Sequence, residues 1–206
     1  LTKPFIPQEL IARIEALLRR AERTQKIYQE SKPEKDKARL IAIHSLRGGT
    51  GCSSLSVNLA LGLVEIWQSP TILLDLAMTA GQVALMLNAP LKRTWADLAR
   101  FSAGNIDIEA INSVINQHES GLSFIPAPTL PSEAASLGKE TLNTTLAMLR
   151  QDFSYIIADL PHDFNEMTLN VLDEADLILL LVAPEMASIR AAVAALDTYA
   201  KLGYPP

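Results

Sequence analysis

The stretch RGGTGCSS, Arg47 to Ser54, places three glycines in four positions between the apolar runs LIAIHSL and LSVNLALGLV. Glycine accepts positive φ and lets a backbone approach a ligand closely, so Gly48, Gly49 and Gly51 suit a turn whose N–H groups converge on an anion. A helix starting directly after such a turn adds its own unpaired N–H groups. Ser53 stands where phosphate-holding loops of the form G-x-x-x-x-G-K-[ST] place the hydroxyl that ligates Mg²⁺. That form fails at two positions, because Leu46 replaces its first glycine and Cys52 its lysine. The implied chemistry is phosphate binding with one positive charge missing. Losing one charge-assisted contact costs about 1.5–3 kcal/mol, which weakens binding without abolishing it.

The remaining reactive side chains give weaker signals. Cys52 is the only cysteine. A helix N-terminus lowers a thiol pKa, but no second cysteine can resolve an oxidised sulfur, so Cys52 reads as a small loop residue. His44 lies within an apolar strand and reads as a core residue. His162 lies in a polar loop and has a better claim to a ligand. The three histidines show no metal-site spacing. Trp67 and Trp95 read as packing residues.

These positions must be held by the elements around them. Over 206 residues, 49% are apolar, enough for one well-buried α/β domain with a short appendage. The net charge of −5 argues against a general nucleic-acid surface. No apolar run is long enough to span a bilayer, and the N-terminus lacks a signal-peptide layout. A single cysteine excludes an intrachain disulfide and suits a reducing compartment, so a cytoplasmic location is expected.

The apolar patterning predicts strands at 40–46, 70–76, 122–126, 155–160 and 176–183. It predicts helices at 54–67, 142–149 and 188–202. Continuous apolar strands alternating with helices imply an α/β fold, a mostly parallel twisted sheet flanked by helices. Ligands of such sheets sit beyond the carboxyl ends of the strands, where RGGTGCSS falls.

Before residue 39 the pattern differs. Leu10, Ile11, Ile14, Leu17 and Leu18 recur at helical spacing, and the charged run at 30–38 reads as a linker. The stretch KPF followed by ELIARIEALLRR resembles the final helix of a response-regulator receiver domain, with Lys3 matching the phosphate-sensing lysine. This divides the chain into a receiver-like helix at 1–29, a linker at 30–38 and a phosphate-loop domain at 39–206. The apolar helix face is expected to self-associate, and the chain to be the back end of a longer protein.

The loop Arg47-Gly48-Gly49-Thr50-Gly51-Cys52-Ser53-Ser54, followed by VNLAL, resembles the deviant P-loop K-G-G-x-G-K-[ST]-[ST] of the MinD/ParA family of dimerising ATPases. ILLDLAMTAGQVALMLN is similar to that family's D-x-D segment, with Asp75 as the first aspartate and Ala77 in place of the second. SFIPAPTLPSEA, YIIADLPHDFNEMT and ADLILLLVAPEMASIRAA resemble its later segments, with Asp159 matching the aspartate that approaches Mg²⁺. The pairing of a receiver-like segment with a degenerate domain resembles the CpaE/TadZ proteins of tight-adherence pilus assembly.

The resemblance implies ATP and Mg²⁺ as cofactors, held by residues 48–54 with Ser53 and Asp159 at the metal. It places Arg47, Asp75 and Asp159 in the catalytic set, with Arg47 reaching the nucleotide of a partner in a homodimer. It further implies weak or absent hydrolysis and pilus-assembly or polar-localisation proteins as partners. Membrane contact would come only through partners or a missing C-terminal segment. Alternatives are an active ParA/MinD-like ATPase and a scaffold that has lost nucleotide.

Overall fold

Four of the six strands are buried and apolar along most of their length because both faces of the sheet are covered there, while the apolar edge strand at 177–180 stays partly exposed. The computed structural model describes residues 38–99, 101, 106–134 and 137–204. The helix expected at 1–29 and the linker, apart from Ala38, lie outside the described residues. In chain order the elements are β1 (Arg39–His44), α1 (Cys52–Glu65), β2 (Thr71–Asp75), α2 (Val83–Met86), α3 (Trp95–Leu98), α4 (Ile108–Val114), β3 (Asn116–Gln117), β4 (Ser123–Ile125), α5 (Pro131–Ala134), α6 (Lys139–Asp152), β5 (Tyr155–Asp159), α7 (Glu166–Glu174), β6 (Leu177–Leu180) and α8 (Met186–Leu202).

The strands form one sheet in the order β3-β4-β2-β5-β1-β6. All neighbours are parallel except the two-residue β3, which runs antiparallel to β4. Side chains alternate across the sheet. Ile41, Ile43, Leu73 and Ile157 point to the face covered by α1 and α2, where Cys52, Val57, Ala60 and Val83 meet them. Leu40, Ala42, Leu74 and Ala158 point to the opposite face, among residues of α3, α4, α6 and α7. Asp75 and Asp159 are register partners at the carboxyl ends of β2 and β5.

Several boundaries differ from the sequence expectation. Helix α1 starts at Cys52 rather than Ser54, because Gly51 in the left-handed region (φ 95°) is its N-cap. Helix α6 runs three residues further at each end than 142–149, and α8 begins two residues earlier than 188. Strand β6 stops at Leu180, not Ala183, where its pairing with β1 ends at His44. The segment read as a loop after β5 contains α7, whose N-cap Asn165 accepts a hydrogen bond from Thr168 N. Trp95 packs in the core as expected, but Trp67 is half-exposed, tilted against Tyr155.

The turn between β2 and α2 is pressed onto the strand ends. A Cβ on Gly81 would lie 2.3 Å from Ala127 Cβ and 2.4 Å from Asp75 Oδ2. The Ala127 methyl cannot turn away, and the Asp75 carboxylate is held by its hydrogen bonds to Ala77 and Val83, so neither moves cheaply. Gly81→Ala is therefore expected to destabilise the fold by about 1–3 kcal/mol, the usual cost of overpacking. A lowered urea midpoint with an unchanged slope checks it.

Candidate functional site

The turn from Ser45 to Gly51 is braced by its own groups. Arg47 N donates to Ser45 Oγ at 3.2 Å, and Thr50 Oγ1 donates to Arg47 O at 3.1 Å. Gly49 (φ 79°) and Gly51 (φ 95°) take the left-handed conformation that favours glycine. Gly48 does not, contrary to the expectation for all three; a Cβ there would instead make ordinary contact with the His162 ring at 3.6 Å. No side chain caps the N-terminus of α1 and no acidic residue lies in its first turn. Its amides remain directed at the loop, the arrangement that favours an anion.

Cys52 is buried within this turn, with its Sγ 3.5 Å from Thr50 Oγ1. Burial, the largest influence, pushes the thiol pKa up, and the nearby Asp159 charge adds to it. The position therefore brings neither a cation nor a reactive thiolate. Arg47 keeps the positive charge expected of it, but its Nε donates to Glu185 Oε1 at 3.3 Å, an ion pair with both side chains about half exposed. Ser54 is exposed and its carbonyl accepts from Asn58 Nδ2 at 2.8 Å.

The two aspartates differ although they are strand neighbours. Asp75 is 1% exposed, and both its oxygens accept backbone N–H groups, Oδ1 from Ala77 at 3.3 Å and Oδ2 from Val83 at 3.1 Å. Asp75 thereby anchors the turn and the start of α2. Asp159, also 1% exposed, accepts from Ser56 Oγ at Oδ1, 3.0 Å away. Its Oδ2 is buried without a hydrogen-bond partner in normal geometry; burial above all raises the Asp159 pKa, against the opposing hydroxyls of Ser53 and Ser56. A carboxylate oxygen in that position fits a cation beside Ser53. Among the described residues no group of three His, Cys, Asp or Glu forms a metal cluster. One carboxylate with a serine suits Mg²⁺, which keeps several waters and shares phosphate oxygens.

Sequence reasoning missed Ser56 as a partner of Asp159. The signal was present, because three-residue spacing puts it on the same face of α1 as Ser53. Glu185 was also missed, since nothing local ties it to Arg47. His44 is a core residue as expected. On the opposite sheet face a cleft of about 490 Å³ opens beyond β2 and β5, lined by Leu76, Met78, Thr79, Lys139, Pro161 and Asp163 among others.

Burial above all raises the Asp75 pKa to about 7; the Val83 N–H opposes this and the Asp159 charge reinforces it. The folded value exceeds the unfolded one, so the folded state holds the proton longer and stability falls as pH rises between the two. Asp75→Asn removes this titration. Wild-type stability relative to that variant is expected to fall between about pH 5 and pH 7, by on the order of 1.4 kcal/mol per pH unit, and to level off above. Urea denaturation of both proteins across that range checks the slope.

Residues 38–202 match the family model described as "Cellulose biosynthesis protein BcsQ". An uncharacterized ATP-binding protein of Methanocaldococcus jannaschii is 29% identical over 79% of this chain and 60% of its own length. The septum site-determining protein MinD of Helicobacter pylori is 27% identical over 73% of this chain and 55% of its own. The chain thus spans a little over half the length of these relatives. Among solved structures, a ParA family ATPase from Chlorobium tepidum superimposes with TM-score 0.72 at 20% identity, covering 79% of this chain and 68% of that one. MinD from Pyrococcus horikoshii, complexed with Mg-ADP, gives 0.66 at 20% identity over 79% and 66%. The chain belongs to the BcsQ family and has the α/β fold of the MinD/ParA P-loop ATPases.

Proposed function

We propose that this protein is a nucleotide-responsive localisation and assembly factor that binds Mg²⁺ and ATP at a weakened phosphate loop and hydrolyses ATP slowly. The observation that carries this reading is Asp159 Oδ2, a buried carboxylate oxygen without a donor, beside Ser53 and the uncapped start of α1. Support also comes from relatives named as ATP-binding and from a similar fold solved with Mg-ADP.

In this reading the N–H groups of residues 48–54 hold the phosphates, and Ser53 and Asp159 hold the metal. Mg²⁺ supplies charge neutralisation at the phosphate oxygens. Asp75 keeps the adjoining turn in place. Cys52 contributes no charge and Ala77 no carboxylate, so two groups that would stabilise a phosphoryl-transfer transition state are missing. Arg47 contacts the nucleotide of a second copy in a homodimer. Its pairing with Glu185 is exposed and worth no more than about 1 kcal/mol, so it does not hold Arg47 back.

The output we assign is positioning of a protein assembly from the cytoplasm rather than a chemical product. The family's name concerns cellulose biosynthesis, and the sequence resemblance concerns the CpaE/TadZ proteins of pilus assembly. Both names concern cell-surface polymers, and the proteins that build one are the proposed partners. No helix among the described residues is long and apolar enough to cross a membrane, so membrane contact is assigned to those partners.

Calorimetry of the full-length protein with ATP and Mg²⁺ is expected to show binding, and Gly49→Val, strained at φ 79°, to lose it. Cys52→Lys should tighten binding by about 1.5–3 kcal/mol. Adding Ala77→Asp should raise turnover above either single change. Wild-type turnover that neither change improves would sink the weakened-site reading, and absence of binding would leave a scaffold.

A further inference from the structure

The loop has lost its lysine, yet one basic side chain from elsewhere lies directly on it. His162, three residues after Asp159, donates from Nδ1 to the carbonyl of Ser45 at 2.9 Å. Its ring lies over Gly48, with Cδ2 at 3.6 Å and Nε2 at 3.8 Å from where a Cβ on that glycine would stand. A carbonyl can only accept, so the proton sits on Nδ1 and the hydrogen-bonding capacity of Nε2 is left over. Among the described residues no hydrogen bond engages that nitrogen.

The segment carrying His162 is fixed on both sides. Leu160 N donates to Ile43 O at 3.1 Å, and His44 Nε2 donates to Asp163 O at 3.1 Å. Asp163 Oδ1 in turn accepts from Asn165 N at 3.1 Å and from Thr168 Oγ1 at 3.3 Å. The imidazole is therefore pre-positioned over the loop instead of sweeping through solvent.

We infer that His162 replaces the missing lysine, donating from Nε2 to a phosphate oxygen of the nucleotide held by residues 48–54. This rests on the functional reading above and names the residue that makes it workable despite Cys52. Because Nδ1 stays bound to Ser45 O, Nε2 can donate only if the ring carries a second proton. The doubly protonated ring gives back the single positive charge that Cys52 took away. The charged and titratable groups around the ring are Asp159 at the end of β5, His44 on β1 and Asp163 on its own segment. Burial above all keeps His44 neutral. Arg47, in the same loop, is turned to Glu185.

The test uses the full-length protein and Mg²⁺ with the non-hydrolysed analogue ATPγS, titrated calorimetrically. His162→Gln keeps a donor but cannot take the charge, and it should bind about tenfold more weakly than wild type. His162→Lys should restore affinity, a rescue that a merely structural role would not give. His162 is exposed, so these variants should fold, and thermal melts without ligand verify it. Equal affinity in wild type and His162→Gln, or a loss that His162→Lys does not repair, would overturn this inference while leaving nucleotide binding intact. No binding by wild type would overturn both.

Discussion

Two carboxylates end neighbouring strands with almost no access to water, and the rest of the site follows from how the fold tolerates them. Burial of a charge is costly unless hydrogen bonds or a counter-ion compensate for it. Asp75 receives the Ala77 and Val83 N–H groups, which offset only part of that cost, since burial still raises its pKa to about 7. That solution dictates a turn pressed so close that only glycine fits at position 81. Asp159 is compensated by half, through Ser56 at one oxygen. The difference leaves one carboxylate bound to the backbone at both oxygens and the other with one oxygen open, though both occupy the same register.

The open oxygen lies where three separately built features meet: the uncapped start of α1, the glycine turn and the segment after β5. None of them requires a long-range movement to form. The turn is held by Ser45 and Thr50, α1 by its packing on β1, β2 and β5, and the segment by Leu160 and Asp163. Relative to the pattern its sequence resembles, this chain lacks charge at Cys52 and Ala77. A turn whose donors are backbone N–H groups keeps its shape without such charges, because those donors belong to no particular side chain.

The strands and the glycine turn were legible because their signals are local. A continuous apolar run such as TILLD needs cover on both faces, and Gly49 and Gly51 sit where a left-handed backbone is required. Short helices at 83–86 and 95–98 escaped notice because four residues hold no helical period. Helix α7 was hidden by its polar start, although Asn165 is a good cap. The task of Asp75 was not legible at all. Which N–H groups surround a carboxylate depends on the path of the turn after it, and that path is pressed against Ala127 in the segment after β4. The partnership of Arg47 with Glu185 spans most of the domain and leaves no mark on either local sequence.

One earlier contact has a consequence of its own. His44 Nε2 donates to Asp163 O, and its Nδ1 lies 2.6 Å from the Tyr199 hydroxyl. A ring that donates on one side and is neutral must accept on the other, so Tyr199 is the donor and the three groups form a chain with a fixed polarity. Burial lowers the His44 pKa, which keeps the chain in that sense at neutral pH. Its direction runs from α8 through β1 to the segment that carries His162. A proton added to His44 Nδ1 would reverse the Tyr199 contact, the hydroxyl oxygen then accepting and its hydrogen turning elsewhere, while Nε2 still donates to Asp163 O. The polarity of the chain, though not the seating of that segment, therefore depends on the valence of one imidazole nitrogen some distance from any ligand.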